Sequence, residues 1–298
     1  MSRYVSLLKP PKLLKCSSKR IHIHIRFGAS IRYVSLAGIS LVMVFPFLWM
    51  LLGSLKSNSE IFASPLSLLP KHFRWENFVQ TFHGAPFGLY IFNSFDVALL
   101  TTLIVLINSS LFAYALTRIE FRGRSLLFIV VMASYMLPGA VTYVPSYIVL
   151  AKLHLLDTHA GLIISNAASV FGVFYLRQVF KKIHPSLIEA ARIDGAGELK
   201  ILWAIVIPQC KSALMTLFLI IFITNYNSYM WPSLVITSAD KNLIATGIRQ
   251  YFIAQGDYGL NWSHIMAAST IAVVPLLMLF MVSQKTILSG IADNGVKE

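Results

Sequence analysis

Residues 184–197 hold the densest group of side chains whose types and spacing suggest a defined task. The stretch reads His-Pro-Ser-Leu-Ile-Glu-Ala-Ala-Arg-Ile-Asp-Gly-Ala-Gly. Pro185 suits the first turn of a helix, where its missing N–H is no loss. Glu189 and Arg192 are three residues apart and are expected to pair on the helix surface, and Gly195 is a typical helix terminator. We therefore expect a short helix whose two alanines allow another surface to approach closely.

A short helix joined at both ends to apolar segments can pass a displacement from a partner into the rest of the chain. The alternative is an interfacial helix that lies on lipid. The sequence does not predict an enzyme, because it contains no convergent set of nucleophile, base or metal ligands. His22 and His24 have no Cys or carboxylate cluster beside them, so no metal site is expected.

The composition indicates that lipid is the solvent for most of the chain. Of the 298 residues, 56% are hydrophobic and 12% are charged, whereas a soluble domain has roughly 25% charged residues. The net charge of +13 could suit nucleic acid. That interpretation is excluded because the charges lie in short stretches between long apolar runs and form no basic domain.

Six apolar segments are long enough to cross a bilayer, so the sequence predicts an all-α integral membrane protein with six transmembrane helices. The third contains Pro138-Gly139 and Pro145, which indicate either a packing kink or a gating element. The six predicted spans are 33–55, 90–116, 125–150, 160–180, 201–224 and 264–284.

The distribution of basic residues predicts the orientation of these spans. Nineteen of the 25 Lys and Arg side chains fall on the side that holds both termini, and cytoplasmic loops carry the excess of positive charge. We expect a basic cytoplasmic tail over 1–32, a six-helix domain over 33–284 and a cytoplasmic C-terminal tail over 285–298. Both termini are therefore predicted to be cytoplasmic, in a multi-pass protein of the cell membrane.

A longer pattern extends the stretch around Glu189 into the fifth span. The pattern begins with Glu-Ala-Ala, and a Gly follows after three intervening residues. After nine more residues comes an Ile, and after one further residue an apolar residue followed by Pro. The residues of the pattern are Glu189, Ala190, Ala191, Gly195, Ile205, Ile207 and Pro208. This spacing resembles the signature of permease subunits of binding-protein-dependent ABC importers. Further matches over residues 30–298 resemble the carbohydrate-importing branch that includes the maltose and glycerol-phosphate permeases.

The resemblance implies a type I ABC importer permease fold, and it implies partners. A cytoplasmic ATPase dimer would dock on a segment of about 182–199 and bind the ATP, while a second homologous permease and an extracytoplasmic solute-binding protein complete the system. No cofactor is expected in this chain, which lacks the Gly-x-x-x-x-Gly-Lys-Ser/Thr loop of ATPases. The residues implied in coupling to the ATPase are Glu189, Ala190, Ala191, Asp194, Gly195, Ile205 and Pro208.

The resemblance leaves the solute open among a sugar, an oligosaccharide, a polyol and a glycerophosphate. A different class of protein, a secondary transporter or membrane enzyme working without an ATPase, is the alternative. Secondary transporters usually contain repeated halves, and no internal repeat is found here. The adjacency of genes for a second permease and a secreted binding protein would separate the two classes.

The external connection over 225–263 is long, and long connections are often functional. Its rings and glycines suggest contact with a binding protein and solute, and the alternative is an aromatic belt at the lipid headgroups. The residues assigned to this site are Tyr251, Phe252, Gly256, Tyr258 and Gly259.

Asp96 near the outer end of the second span is either a solvated carboxylate or part of the solute path. Four other polar residues either line the path or join helices by hydrogen bonds: Asn108, Ser109, Ser110 and Asn166.

Overall fold

A computed structural model describes residues 18–63, 67–255 and 261–295, and within these ranges every regular element is helical. Contacts divide the chain into two compact units, Met1–Trp49 and Met50–Glu298. The first helix, α1 (Ser18–Ser54), starts in the first unit and contains Pro46. Its stretch Arg32–Ser54 has a mean hydropathy of 2.2 and exposes apolar side chains, as a helix in contact with lipid requires.

The second unit is built around its longest described helices. The described helices after α1 are α2 (Asn58–Ala63), α3 (Glu76–Gly84), α4 (Phe87–Arg118), α5 (Arg124–Tyr135), α6 (Gly139–Lys152), α7 (His159–Ser165), α8 (Val170–Lys181), α9 (Pro185–Ile193), α10 (Glu198–Ile201), α11 (Ile207–Gln209), α12 (Lys211–Tyr226), α13 (Met230–Val235), α14 (Ile244–Gln255) and α15 (Trp262–Gly295). Helix α4 is central and packs against both α8 and α12. Its close approach to α8 requires Gly172, because a Cβ there would lie 2.5 Å from Ser109 Oγ.

The six predicted spans are confirmed, as three long helices and three bent helix pairs. Helices α1, α4 and α15 are each apolar and long enough to cross a membrane. The pair α5 and α6 is bent by 100°, and the pair α7 and α8 by 47°. The fifth span also bends, by 86° between Glu198–Gln209 and α12.

The two sharpest bends, of 100° and 86°, each have a local chemical cause. At the first, Pro138 precedes α6 and has no N–H with which to continue α5. The fifth span was predicted as a plain span over 201–224, and its 86° bend follows a π-helical stretch, Leu202–Val206. There the Ile207 N–H bonds to the Leu202 carbonyl, five residues back. Pro208 follows directly, and its lack of an N–H removes the next regular bond.

Two buried clusters stabilise opposite ends of the second unit. One lies around the C-terminal end of α4, which we call the inner end after its predicted orientation, and includes Tyr114, Phe180, Ile188 and Leu202. The other lies around the start of α4 and brings together Phe87, Tyr90, Phe222, Tyr226 and Tyr251. The connection after α12 is largely helical rather than irregular, because α13 and α14 occupy much of it.

Candidate functional site

The stretch that carries the sequence signature folds as a short helix with well-defined ends. His184 caps α9, its Nδ1 accepting a hydrogen bond from the Ser186 N–H at 3.3 Å. At the other end Gly195 has a φ of +78°, a conformation that glycine adopts without strain. The Ala196 N–H then bonds to the Ala191 carbonyl at 2.9 Å, which closes the helix with a Schellman motif.

One face of α9 is anchored and the other is free to contact a partner. Ile188 is 2% exposed and packs in the inner cluster with Ala191. On the outer face Ile193 is 86% exposed and Leu187 is 45% exposed. Leu199 on α10 extends this apolar surface, at 64% exposed. Exposed apolar side chains in a segment that also carries charged groups mark an interaction surface.

The residues of the predicted coupling site differ in exposure. Ala191 is buried, and Ile205 and Ile207 are partly buried beside the inner cluster. The other residues of this prediction are exposed: Glu189, Ala190, Asp194, Gly195 and Pro208. The Glu-Ala-Ala part of the motif therefore lies on α9, with Glu189 and Ala190 exposed and Ala191 buried.

The expected ion pair between Glu189 and Arg192 is wrong. Arg192 Nε instead donates to Glu198 Oε1 at 2.8 Å. The turn at Gly195 causes this choice, because it brings the first residue of α10 back alongside the last turn of α9. Glu198 is held there by a second bond, from the Tyr114 hydroxyl to its Oε2 at 2.5 Å. A glutamate three residues after the terminating glycine was the sequence signal for this partner.

The last turn of α4 holds the chain on both sides of α9. Arg118 Nη2 donates to the carbonyls of Phe180 and Ile183, each at 2.6 Å, just before the helix begins. The Arg118 carbonyl accepts from Arg192 Nη2 at 3.0 Å, near the end of the helix. Arg124 in turn donates to the Leu116 carbonyl at 2.7 Å, so the end of α4 is itself capped. The segment is thus tied to a long spanning helix.

This geometry can be set beside known proteins. A sequence model of the family described as "Binding-protein-dependent transport system inner membrane component" matches residues 107–292, a range that contains the whole signature segment. The chain belongs to this family. It is a multi-pass membrane permease subunit of a binding-protein-dependent import system.

Several relatives of the permease are similar over most of their length. The sn-glycerol-3-phosphate transport system permease protein UgpE of Yersinia enterocolitica is 34% identical over 260 residues, covering 85% of this chain and 92% of that protein. The protein of the same name from Escherichia coli O1:K1 is 35% identical over the same length. A bacterial ABC transporter involved in the import of the acidic polysaccharide alginate contains a chain of the same fold, with a TM-score of 0.75 and 24% identity, covering 87% of this permease and 96% of that chain.

The permease carries a second polar network, between the α6–α7 connection and the segment that precedes α14. Asp157, with a φ of +54°, accepts from the N–H groups of Thr237 and Ser238 at 2.9 Å and from the Ser238 hydroxyl. Lys241 Nζ lies 3.1 Å from Asp157 Oδ2. These bonds, those from Ser238 foremost, hold the pKa of Asp157 well below its ordinary value. We call Asp157, Ser238 and Lys241 the external clamp, after the side of the membrane predicted for these segments.

The outer end of α4 holds the same segment. Asn93 Nδ2 donates to the carbonyls of Asp240 and Asn242, at 2.9 and 3.1 Å. Ser94 Oγ accepts from the Ile244 N–H at 2.7 Å, at the start of α14. Asp96 is half-buried one turn further along α4. These contacts give the segment before α14 a fixed position, which the sequence did not indicate.

The aromatic residues assigned to the external connection lie in two settings. Tyr251 is buried, 5.2 Å from the Phe87 ring and against Gly84, so its ring is packed in the protein and is not offered to a solute. Phe252 is partly exposed and meets Trp262 edge-on at 6.0 Å. The other three residues of this prediction lie outside the described residues: Gly256, Tyr258 and Gly259.

The four polar residues within the spans mostly serve contacts inside the protein. Asn108 Nδ2 donates to the Ala167 carbonyl at 3.0 Å and so joins α4 to the break between α7 and α8. Asn166 Nδ2 donates to the Leu162 carbonyl at 2.9 Å. Ser109 and Ser110 are buried on α4. Of the two interpretations, the one in which these residues join helices by hydrogen bonds therefore applies to Asn108.

Proposed function

We propose that this permease forms half of the translocation path of an ATP-driven importer for a carbohydrate-type solute. A second, homologous permease supplies the other half, and an extracytoplasmic binding protein delivers the solute. A cytoplasmic ATPase dimer binds the ATP, and this chain acts as a transporter subunit rather than as an enzyme. Both termini lie in the cytoplasm, as the basic side chains favour.

The observation that carries this proposal is the two-sided character of α9. Its inner face is packed in the protein, while Leu187 and Ile193 expose apolar surface next to Glu189 and Ala190. A helix of this kind gives an ATPase a surface to bind and a rigid body to move. The coupling residues remain those of the signature, with Ile205 and Pro208 acting at the bend that follows.

The class of solute is supported by the relatives. UgpE proteins at 34–35% identity are named for sn-glycerol-3-phosphate transport. We propose a glycerophosphate, polyol, sugar or oligosaccharide as the solute. Phe252 is proposed to face the binding protein, together with Gly256, Tyr258 and Gly259 of the same connection. The ligand that co-purifies with this binding protein identifies the solute.

Ile193→Asp tests the docking surface. The complex is purified through a tag on the permease, and the ATPase retained per permease is measured. We expect Ile193→Asp to reduce ATPase retention by at least tenfold, because a charge replaces the most exposed apolar side chain of α9. Phe121→Asp is the matched control, since Phe121 is an exposed apolar residue of the other described cytoplasmic connection. Equal retention in both variants and the wild type would refute docking on α9.

A further inference from the structure

Three side chains from three helices meet beside the coupling segment. Tyr114 lies in the last part of α4, Arg192 near the end of α9, and Glu198 at the start of α10. Glu198 uses one carboxylate oxygen for Tyr114, at 2.5 Å, and the other for Arg192, at 2.8 Å. Bonds in which one partner is charged are shorter and stronger than neutral ones, so Glu198 is the centre of this group.

The burial of these residues shows which bond matters most. The side chains of Arg192 and Glu198 are 42% and 41% exposed, and an exposed ion pair of this kind contributes little by itself. Tyr114 is only 3% exposed and packs in the inner cluster. The Tyr114 hydroxyl, fixed by the packing of its ring, therefore holds Glu198 and Arg192 in place. Without that hydroxyl, Glu198 would be free to follow Arg192 or solvent.

The same end of α4 grips the segment upstream of α9. The Arg118 guanidinium donates to the Phe180 and Ile183 carbonyls. The Arg118 carbonyl accepts a hydrogen bond from Arg192 Nη2 at 3.0 Å. Because α4 bonds to the chain at both ends of α9, a force applied to α9 is transmitted to α4 at two points. Helix α4 is 32 residues long, roughly 48 Å at the helical rise, and it reaches the opposite side of the second unit.

We propose that Tyr114, Arg192 and Glu198 form a latch that makes α9 and α4 move as one body. The latch is a set of positioning residues: it touches neither solute nor nucleotide. It rests on the proposed function, in which the ATPase displaces α9 when ATP binds. The latch transmits that displacement to α4, so that each ATP-driven movement of α9 reaches the spanning bundle. Its loss leaves the ATPase docked and turning over while import falls.

The test measures import and ATP hydrolysis together, in the full complex reconstituted in vesicles with its binding protein and solute. Tyr114→Phe removes the anchoring hydroxyl and keeps the ring. Glu198→Ala removes the central carboxylate of the latch, at a partly exposed position where a substitution disturbs folding little. Glu198→Gln keeps one acceptor oxygen and the shape of the side chain. Tyr226→Phe is the matched control, because its hydroxyl donates to the Ala272 carbonyl at 3.1 Å, far from α9 in sequence and in a different cluster.

We expect the solute imported per ATP hydrolysed to fall about tenfold in Tyr114→Phe and Glu198→Ala, the order of a lost hydrogen bond to a charged group. Glu198→Gln should restore most of the ratio, and Tyr226→Phe should leave it unchanged. An unchanged ratio in both Tyr114→Phe and Glu198→Ala overturns the latch.

Loss of the ATPase from both of these variants also overturns the latch, since a latch that only transmits motion leaves docking intact. These results are separate from a failure of the proposed function, which would appear as no ATPase retained by the wild-type complex. The wild-type retention is therefore measured first, and it decides the proposed function independently of the latch.

Discussion

The two ends of α4 hold their neighbouring segments by different means. At the outer end Asn93 and Ser94 are buried, and they bond to main-chain atoms of the segment before α14. At the inner end the bonds run through long charged side chains, among them Arg192 and Glu198, which are partly exposed. The outer contacts fix a backbone shape, whereas the inner contacts join separate helices through side chains.

This difference suggests different mechanical roles. Buried bonds to main-chain carbonyls cannot be exchanged without leaving polar groups unpaired, which is costly. The outer segment should therefore behave as a rigid platform. The inner contacts lie next to the exposed apolar surface of α9, and their charged groups remain within reach of solvent and of a partner. Substitutions at the coupling inner end should therefore impair import, whereas substitutions at the rigid outer end should lower stability.

Gly195→Val should affect import most. The φ of +78° disfavours residues with a Cβ by about 1–2 kcal/mol, and a branched side chain is the worst case. The Schellman closure and the position of Glu198 should both be lost, with import falling at least tenfold. Uptake and ATPase retention are the measurements. Gly197→Ala is the control, because Gly197 has a φ of −70° and open space for a Cβ. Equal uptake in the two variants would show that the turn does not matter.

Asn93→Ala should lower stability without uncoupling transport. The substitution leaves the buried Asn242 carbonyl and the partly buried Asp240 carbonyl without their donor, at a cost of about 1–3 kcal/mol. The thermal unfolding midpoint of the purified permease should fall, while import per ATP is kept. Asn108→Ala is the matched control, since its single bond to Ala167 is exposed. An unchanged midpoint in Asn93→Ala, or a change in the transport ratio, would contradict a rigid outer platform.

The external clamp should be insensitive to mild acid. The pKa of Asp157 is held well below its ordinary value, mainly by the Ser238 hydroxyl and then by backbone N–H groups. A carboxylate with a lowered pKa stabilises the fold above its unfolded pKa, and that contribution is lost only as the pH falls through the lower, folded pKa. No loosening is therefore expected between pH 7 and pH 5.

Hydrogen exchange at the Thr237 and Ser238 amides, corrected for its intrinsic pH dependence, measures this directly. Protection should be equal at pH 7 and pH 5 in the wild type. It should fall a few-fold in Asp157→Asn, which loses the charge that faces Lys241, an effect of the size expected for a partly exposed ion pair. Loss of protection in the wild type at pH 5 would contradict the position of Asp157 within the clamp.

Hydrophobic patterning predicted the positions of the spans but not their shapes. Apolar runs such as 90–116 and 264–284 must cross a bilayer whatever their neighbours are, and α4 and α15 contain them. Bends depend on which backbone groups find partners. Pro138 signalled one bend in the sequence, whereas the 86° turn after Pro208 was missed, although Pro208, Gln209 and Lys211 interrupt the apolar run there.

The candidate site was predicted in outline and missed in its contacts. Spacing alone located α9, its proline start and its glycine end, because these are local properties of the chain. The partner of Arg192 was missed because Glu198 and Tyr114 come together only after the Gly195 turn and the packing of α4 are in place. The burial of Tyr251 was missed for a similar reason: an aromatic residue in a connection is expected to be exposed, yet Tyr251 packs against Phe87.

The most direct test of docking on α9 is a crosslink to the ATPase. Ala190→Cys, on the exposed face of α9, is introduced in a permease whose Cys16 and Cys210 are replaced by Ala. Its thiol is labelled with a short maleimide reagent that carries a photoreactive group, and illumination crosslinks that group to whatever protein surface lies next to it. Thr237→Cys, in the external segment, serves as the comparison. The account predicts a permease–ATPase adduct from Ala190→Cys and none from Thr237→Cys. An adduct from Thr237→Cys, or none from Ala190→Cys in a complex that retains its ATPase, would contradict it.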